Sequence, residues 1–101
     1  MFEIRLGEQG VVAMAGRLDA AQCEKALQFL DAIPTPQVID LAALEYVSSA
    51  GLGVLLKTQK RAMAGGRGLR LVNVNKHIFD IFRYAGFDRI FEVVKAGDPA
   101  A

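Results

Sequence analysis

The feature that most constrains this chain is an alternation. After two short runs of strand character at the N-terminus, short stretches rich in Val, Ile and Leu take turns with longer stretches of helical period, through to the C-terminus. FEIRL (Phe2–Leu6) alternates apolar and polar residues, as a half-buried strand does. GEQG (residues 7–10) is a turn with glycine at both ends, and VVAMA (residues 11–15) is a second strand, so the two predict a hairpin. Gly16 breaks that run.

DAAQCEKALQFLDAI (residues 19–33) then carries Ala26, Leu27, Leu30 and Ile33 at helical spacing. Asp19 with Gln22 three residues on has the form of a capping box. Pro34 and Pro36 end the helix. QVIDL (residues 37–41) reads as a central strand buried on both faces, and residues 44–47 lead on to two serines. From Ala50, the residues Leu52, Leu55, Leu56, Gln59, Ala62 and Met63 line one side of a helix, read as core, with Lys57, Lys60 and Arg61 mainly opposite. Gly65, Gly66 and Gly68 stop it. LRLVN (residues 69–73) is a strand. Asn75 caps KHIFDIFRYA, whose apolar residues are Ile78, Phe79, Ile81 and Phe82. Gly86 ends that helix, RIFEVV (residues 89–94) is a last strand, and residues 96–101 form a frayed tail.

The order predicts an α/β fold: a small mixed β-sheet with an N-terminal antiparallel hairpin, then parallel strands joined by right-handed crossovers, with helices packed on it. A length of 101 residues gives a single domain spanning 1–101. A net charge of +1 leaves no electrostatic footprint for nucleic acid. The single cysteine, Cys23, cannot close an internal disulfide and fits a reducing, cytoplasmic setting. No apolar stretch reaches the roughly 20 residues of a membrane span, and no signal peptide opens the chain, so neither membrane insertion nor secretion is expected. The partners predicted by these exclusions are other proteins.

Catalytic patterns are missing. The glycines of AGLG and GGRG fit neither G-x-G-x-x-G nor a phosphate-binding P-loop, and Ser49 has Val47 where a nucleophile elbow needs glycine. His77, the single histidine, falls in the first turn of a helix as an ordinary surface residue. One Cys and one His do not build a metal site. The chain is read as a non-enzyme without cofactor. Ser48 and Ser49 stand where a parallel strand gives way to a helix, the place at which open α/β sheets form their sites. Serine there is a good N-cap, and it is also an exposed hydroxyl; the two readings are compatible.

EYVSSAGLGVLL (residues 45–56), preceded by VIDL and by GRLDAAQ, resembles the STAS domain, specifically the bacterial anti-sigma factor antagonists, over nearly the whole chain. The resemblance implies a domain that binds an anti-sigma factor, itself a serine kinase, and so frees a sigma factor. Phosphorylation of one serine releases the kinase, and a serine phosphatase resets the switch. The family's core is Asp-Ser-(Ser/Thr)-Gly-Leu, and alignment through Gly51 and Leu52 places the phosphorylated serine on Ser49, with Ser48 as the fallback. The family's Asp falls on Ser48 and its second hydroxyl on Ala50. The partner-binding residues implied are Arg17, Asp19, Ser48, Ser49, Ala50 and Gly51. A STAS-like subunit that docks on a membrane transporter or signalling assembly without phosphorylation is the alternative.

Overall fold

The computed structural model describes residues 1–98. Five strands, β1 (Phe2–Leu6), β2 (Val12–Leu18), β3 (Val38–Val47), β4 (Arg70–Val74) and β5 (Glu92–Lys95), lie side by side in chain order. β1 and β2 are antiparallel; every later neighbouring pair is parallel. The crossovers carry α1 (Cys23–Asp31), α2 (Ser49–Ala64) and α3 (Lys76–Tyr84). The predicted mixed α/β sheet is therefore the one found, and it brings the C-terminal ends of β2, β3, β4 and β5 to a common rim.

One hydrophobic cluster holds the layers together. It takes Val12, Met14, Ile39, Leu41 and Leu44 from the sheet and Leu30, Val54, Leu55, Ile78 and Phe82 from the helices. Phe87 stacks on Phe82 at 5.6 Å between ring centroids and meets Phe91 at 4.8 Å, closing the β5 end. β3 is central but is not buried on both faces. Ala42, Ala43 and Glu45 are exposed and Asp40 is half-buried, so the sheet carries its helices on one side. The open face is tolerable because its side chains engage one another: Asn73 Nδ2 donates to Asp40 Oδ1 at 3.2 Å, and Arg70 pairs with Glu92 at 2.8 Å.

Several boundaries differ from the hydrophobic pattern, each for a local reason. β2 runs through Gly16 to Leu18. Gly16 adopts φ +87°, and a Cβ there would lie 2.2 Å from the Met1 carbonyl oxygen, so glycine admits a close backbone approach rather than ending the strand. β3 absorbs the supposed connector at residues 44–47, bulging where Asp40 Oδ1 accepts the Ala42 N–H at 2.9 Å. In α2 the buried residues are Gly51, Val54, Leu55, Thr58, Gln59 and Ala62, while Met63, expected on the apolar side, is exposed. The segment RIFEVV is strand only from Glu92; a 3-10 turn, Phe87–Arg89, precedes it. Of the tail read as frayed, residues 99–101 lie outside the described residues, and Ala96 is held by its N–H to the Val74 carbonyl at 2.9 Å.

Candidate functional site: the turn between β3 and α2

β2 and β3 pair in parallel up to Leu18 and Val47. Where they end, the chain turns into α1 and α2 respectively, and the two turns touch. The Ser48 N–H donates to the Leu18 carbonyl at 3.0 Å. The Ser48 hydroxyl donates to the same carbonyl at 3.3 Å and accepts the Gly51 N–H at 3.1 Å. Ser48 is therefore the N-cap of α2, as serine is suited to be, and it also binds that helix start to the end of β2. Gly51 completes the fastening. It is buried, and a Cβ on it would lie 2.7 Å from the Leu18 oxygen and 2.8 Å from Val47 Cγ2.

These bonds sort the two serines. Ser48 is half-buried with its hydroxyl engaged on both sides. Ser49, the first residue of α2, is exposed and its hydroxyl has no partner among the described residues. Ala50 beside it is exposed too. Gly51, which the resemblance puts among partner-facing residues, is turned inward against Leu18 and Val47 and offers a visitor no surface. The exposed hydroxyl sits over the free N–H groups of a 16-residue helix, where negative charge is favoured by about 0.3–1 kcal/mol.

Asp19 follows Leu18 directly and so lies at the same corner. It does not act as the capping box predicts. It precedes a 3-10 turn, Ala20–Gln22, makes no side-chain cap bond, and leaves α1 to begin at Cys23 without a side-chain cap from Gln22 either. Its Oδ1 is buried with no hydrogen-bond partner among the described residues. Cys23 instead reaches back, donating its thiol proton to the Asp19 carbonyl oxygen at 3.2 Å. Burial first, and the Asp19 charge second, push that thiol above its usual range. Arg17 is exposed on the open face of β2, its guanidinium 4.4 Å from the centre of the Tyr46 ring on β3.

Two contributors escape the sequence. The Leu18 carbonyl organises the corner, and no side-chain pattern marks a backbone acceptor. Asn75, legible as the α3 cap through its bond from the Ile78 N–H at 2.9 Å, also donates Nδ2 to the Leu44 carbonyl at 3.0 Å, fixing α3 against β3. His77 is exposed, as expected. Among the described residues no group of His, Cys, Asp and Glu is placed to hold a metal ion, and no helix is long and apolar enough to cross a membrane.

Residues 2–95 match the family described as "Mlab, STAS domain". BtrV of Bordetella bronchiseptica, a candidate anti-sigma factor antagonist, is 36% identical over 93 residues, covering 92% of this chain and 78% of BtrV. The crystal structure of an anti-sigma factor antagonist from Mycobacterium paratuberculosis shares the fold with a TM-score of 0.80 at 23% identity, over 93% of this chain and 86% of that one. A sulfate transporter family protein from Wolinella succinogenes also shares it, with a TM-score of 0.71 at 19% identity, over 86% and 76% of the two chains. The fold thus serves proteins of different description, and BtrV, a relative in sequence, carries the description of a candidate antagonist. Matched along nearly its whole length, the chain belongs to the STAS domain family.

Proposed function

We propose that this chain is a cytoplasmic anti-sigma factor antagonist: with Ser49 unmodified it binds an anti-sigma factor that is also a serine kinase, and phosphorylation of Ser49 ends that binding. The observation that carries the reading is the division of labour between adjacent hydroxyls. Ser48 holds the turn together, and Ser49 is exposed with no hydroxyl partner among the described residues. In this reading Asp19, Arg17 and Ala50 belong with Ser49 to the docking surface.

In the switching step the Ser49 oxygen attacks the γ-phosphorus of ATP bound to the partner. An O–P bond forms, the bond to the ADP leaving group breaks, and the hydroxyl proton passes to the kinase or to water. A serine phosphatase reverses the state by hydrolysis. The new group adds about −1.5 to −2 charge. Placed at the α2 N-terminus, that charge leaves the fold intact. It acts on the partner instead: a hundredfold loss of affinity needs only about 2.8 kcal/mol, which repulsion and desolvation of a dianion at a contact supply.

The test is phosphosite mapping by mass spectrometry after incubation with the cognate kinase and ATP, for the wild type and for Ser49→Ala. The wild type gains one phosphate on Ser49; Ser49→Ala binds the kinase and gains none. Transfer of the phosphate to Ser48 in Ser49→Ala defeats the assignment. A second reading, a docking subunit of a membrane transporter or signalling assembly that works without phosphorylation, is favoured by Ser48 itself, since the resemblance places an Asp there. Under that reading neither serine is modified and the chain co-purifies with a membrane complex.

A further inference from the structure

We infer that the groove between α3 and β5 is a second docking site, one that takes an acidic segment of a protein partner. The groove measures about 410 Å³ and is lined by Asn75, Lys76, Phe79, Asp80, Arg83 and Lys95, among others. Three of these side chains are cationic and one is anionic. Lys76 Nζ meets Asp80 Oδ2 at 3.4 Å, and no carboxylate is paired with Arg83 or Lys95 among the described residues. The groove is thus more positive than the whole chain, whose net charge is +1. Lys95 Nζ lies 4.4 Å from the centre of the half-buried Phe79 ring, so the cations stand over an apolar floor. That combination fits carboxylates interleaved with apolar side chains.

The place reinforces the chemistry. The groove lies at the C-terminal ends of β4 and β5, on the same rim of the sheet as Ser49 at the end of β3. Asn75 ties α3 to the Leu44 carbonyl, which holds the two stations at a fixed separation. A cavity at the opposite end of the strands, about 470 Å³ around Gln59, Arg67 and Arg70, is the contrasting case. There the polar groups are satisfied within the chain: Gln59 bridges the Ile90 carbonyl and the Leu69 N–H, Arg67 reaches Gln37, and Arg70 pairs with Glu92. In the α3–β5 groove Arg83 and Lys95 have no carboxylate partner among the described residues, and Lys95 stands over the Phe79 ring. This site stands independently of any modification of Ser49.

The probe is a decapeptide of alternating glutamate and leucine, titrated into the 15N-labelled full chain and followed by NMR, with the lysine–leucine peptide as its counterpart. The glutamate peptide shifts the amides of Lys76, Phe79, Arg83 and Lys95, the lysine peptide does not, and added salt weakens binding. Arg83→Glu with Lys95→Glu lowers affinity about tenfold or more, whereas Ser49→Ala binds as the wild type does. Both reversed side chains are exposed; should the pair nevertheless disturb the fold, Lys95→Gln still gives a loss of about twofold or more. The proposal is overturned by shifts centred on Arg67 and Arg70, by equal binding of the lysine peptide, or by unchanged affinity in the charge reversals. Capture of the chain by phosphatidylserine vesicles without peptide binding overturns it in favour of a membrane surface.

Discussion

The chain passes into α1 and α2 from the ends of neighbouring strands and fastens the two helix starts differently. At α2 one residue makes four bonds: Ser48 caps the helix through Gly51, accepts the Leu52 N–H on its carbonyl and holds the Leu18 carbonyl twice, while Gly51 packs where no Cβ fits. At α1 a single 3-10 turn, closed by the Gln22 N–H on the Asp19 carbonyl at 3.0 Å, stands in for a cap. Its acidic residue keeps a buried oxygen without a partner among the described residues. A rigid helix start can present a neighbouring hydroxyl at a fixed position. A loosely satisfied one keeps a buried acceptor with no partner among the described residues. The same corner thus has a tightly fastened half and a loosely fastened one, and substitutions should separate them.

The largest effect belongs to Gly51→Ala. The added methyl must displace the Leu18 carbonyl, Val47 or both, and overpacking of this kind costs about 1–3 kcal/mol even after alanine's better helix propensity. Gly53→Ala, two residues on, meets nothing within 4 Å and should gain up to about 1 kcal/mol. Urea unfolding of both variants decides it: equal stability would mean that the start of α2 is not the tight one. Ser48→Ala comes next, losing the cap and one bond to Leu18 for about 0.5–2 kcal/mol. Asp19→Ala in the same assay should stay within about 0.5 kcal/mol or stabilise slightly, because it removes a buried acceptor that has no partner among the described residues. A loss at Asp19 as large as at Ser48 would erase the contrast between the starts of α1 and α2.

The order of elements was legible because each strand and helix carries its own period, and nothing in the packing overrides it. Boundaries failed where the backbone does something a side-chain pattern does not encode. Gly16 looks like a stop, and only its closeness to the Met1 carbonyl shows why a strand needs it. Ala42 and Ala43 carry little strand propensity, so β3 reads as ending early although its bulge is secured by Asp40. Arg61, placed by the helical period on the polar side of α2, is half-buried. It donates to the Leu30 carbonyl at 2.7 Å and the Ile33 carbonyl at 2.6 Å, tying the end of α1 to α2. At the candidate site, Ser48 and Ser49 both satisfy the requirements of a cap. Which one is engaged depends on the Leu18 carbonyl, and that acceptor comes from a strand 30 residues earlier.

The smallest effect probes the start of α1 from inside. Cys23 points its thiol at the Asp19 carbonyl, and burial together with the Asp19 charge raises its pKa. The folded chain therefore holds the thiol proton more tightly than the unfolded chain does. The resulting stabilisation is present below the unfolded thiol's pKa and is lost as pH rises through the folded one. The readout is the pH midpoint of alkylation by iodoacetamide, since the thiolate is the reacting form. The native midpoint should lie above that of the chain unfolded in urea. Asp19→Asn should lower it only part of the way, because desolvation is the larger cause and remains. A midpoint unmoved by Asp19→Asn would mean that the carboxylate's charge does not reach the thiol.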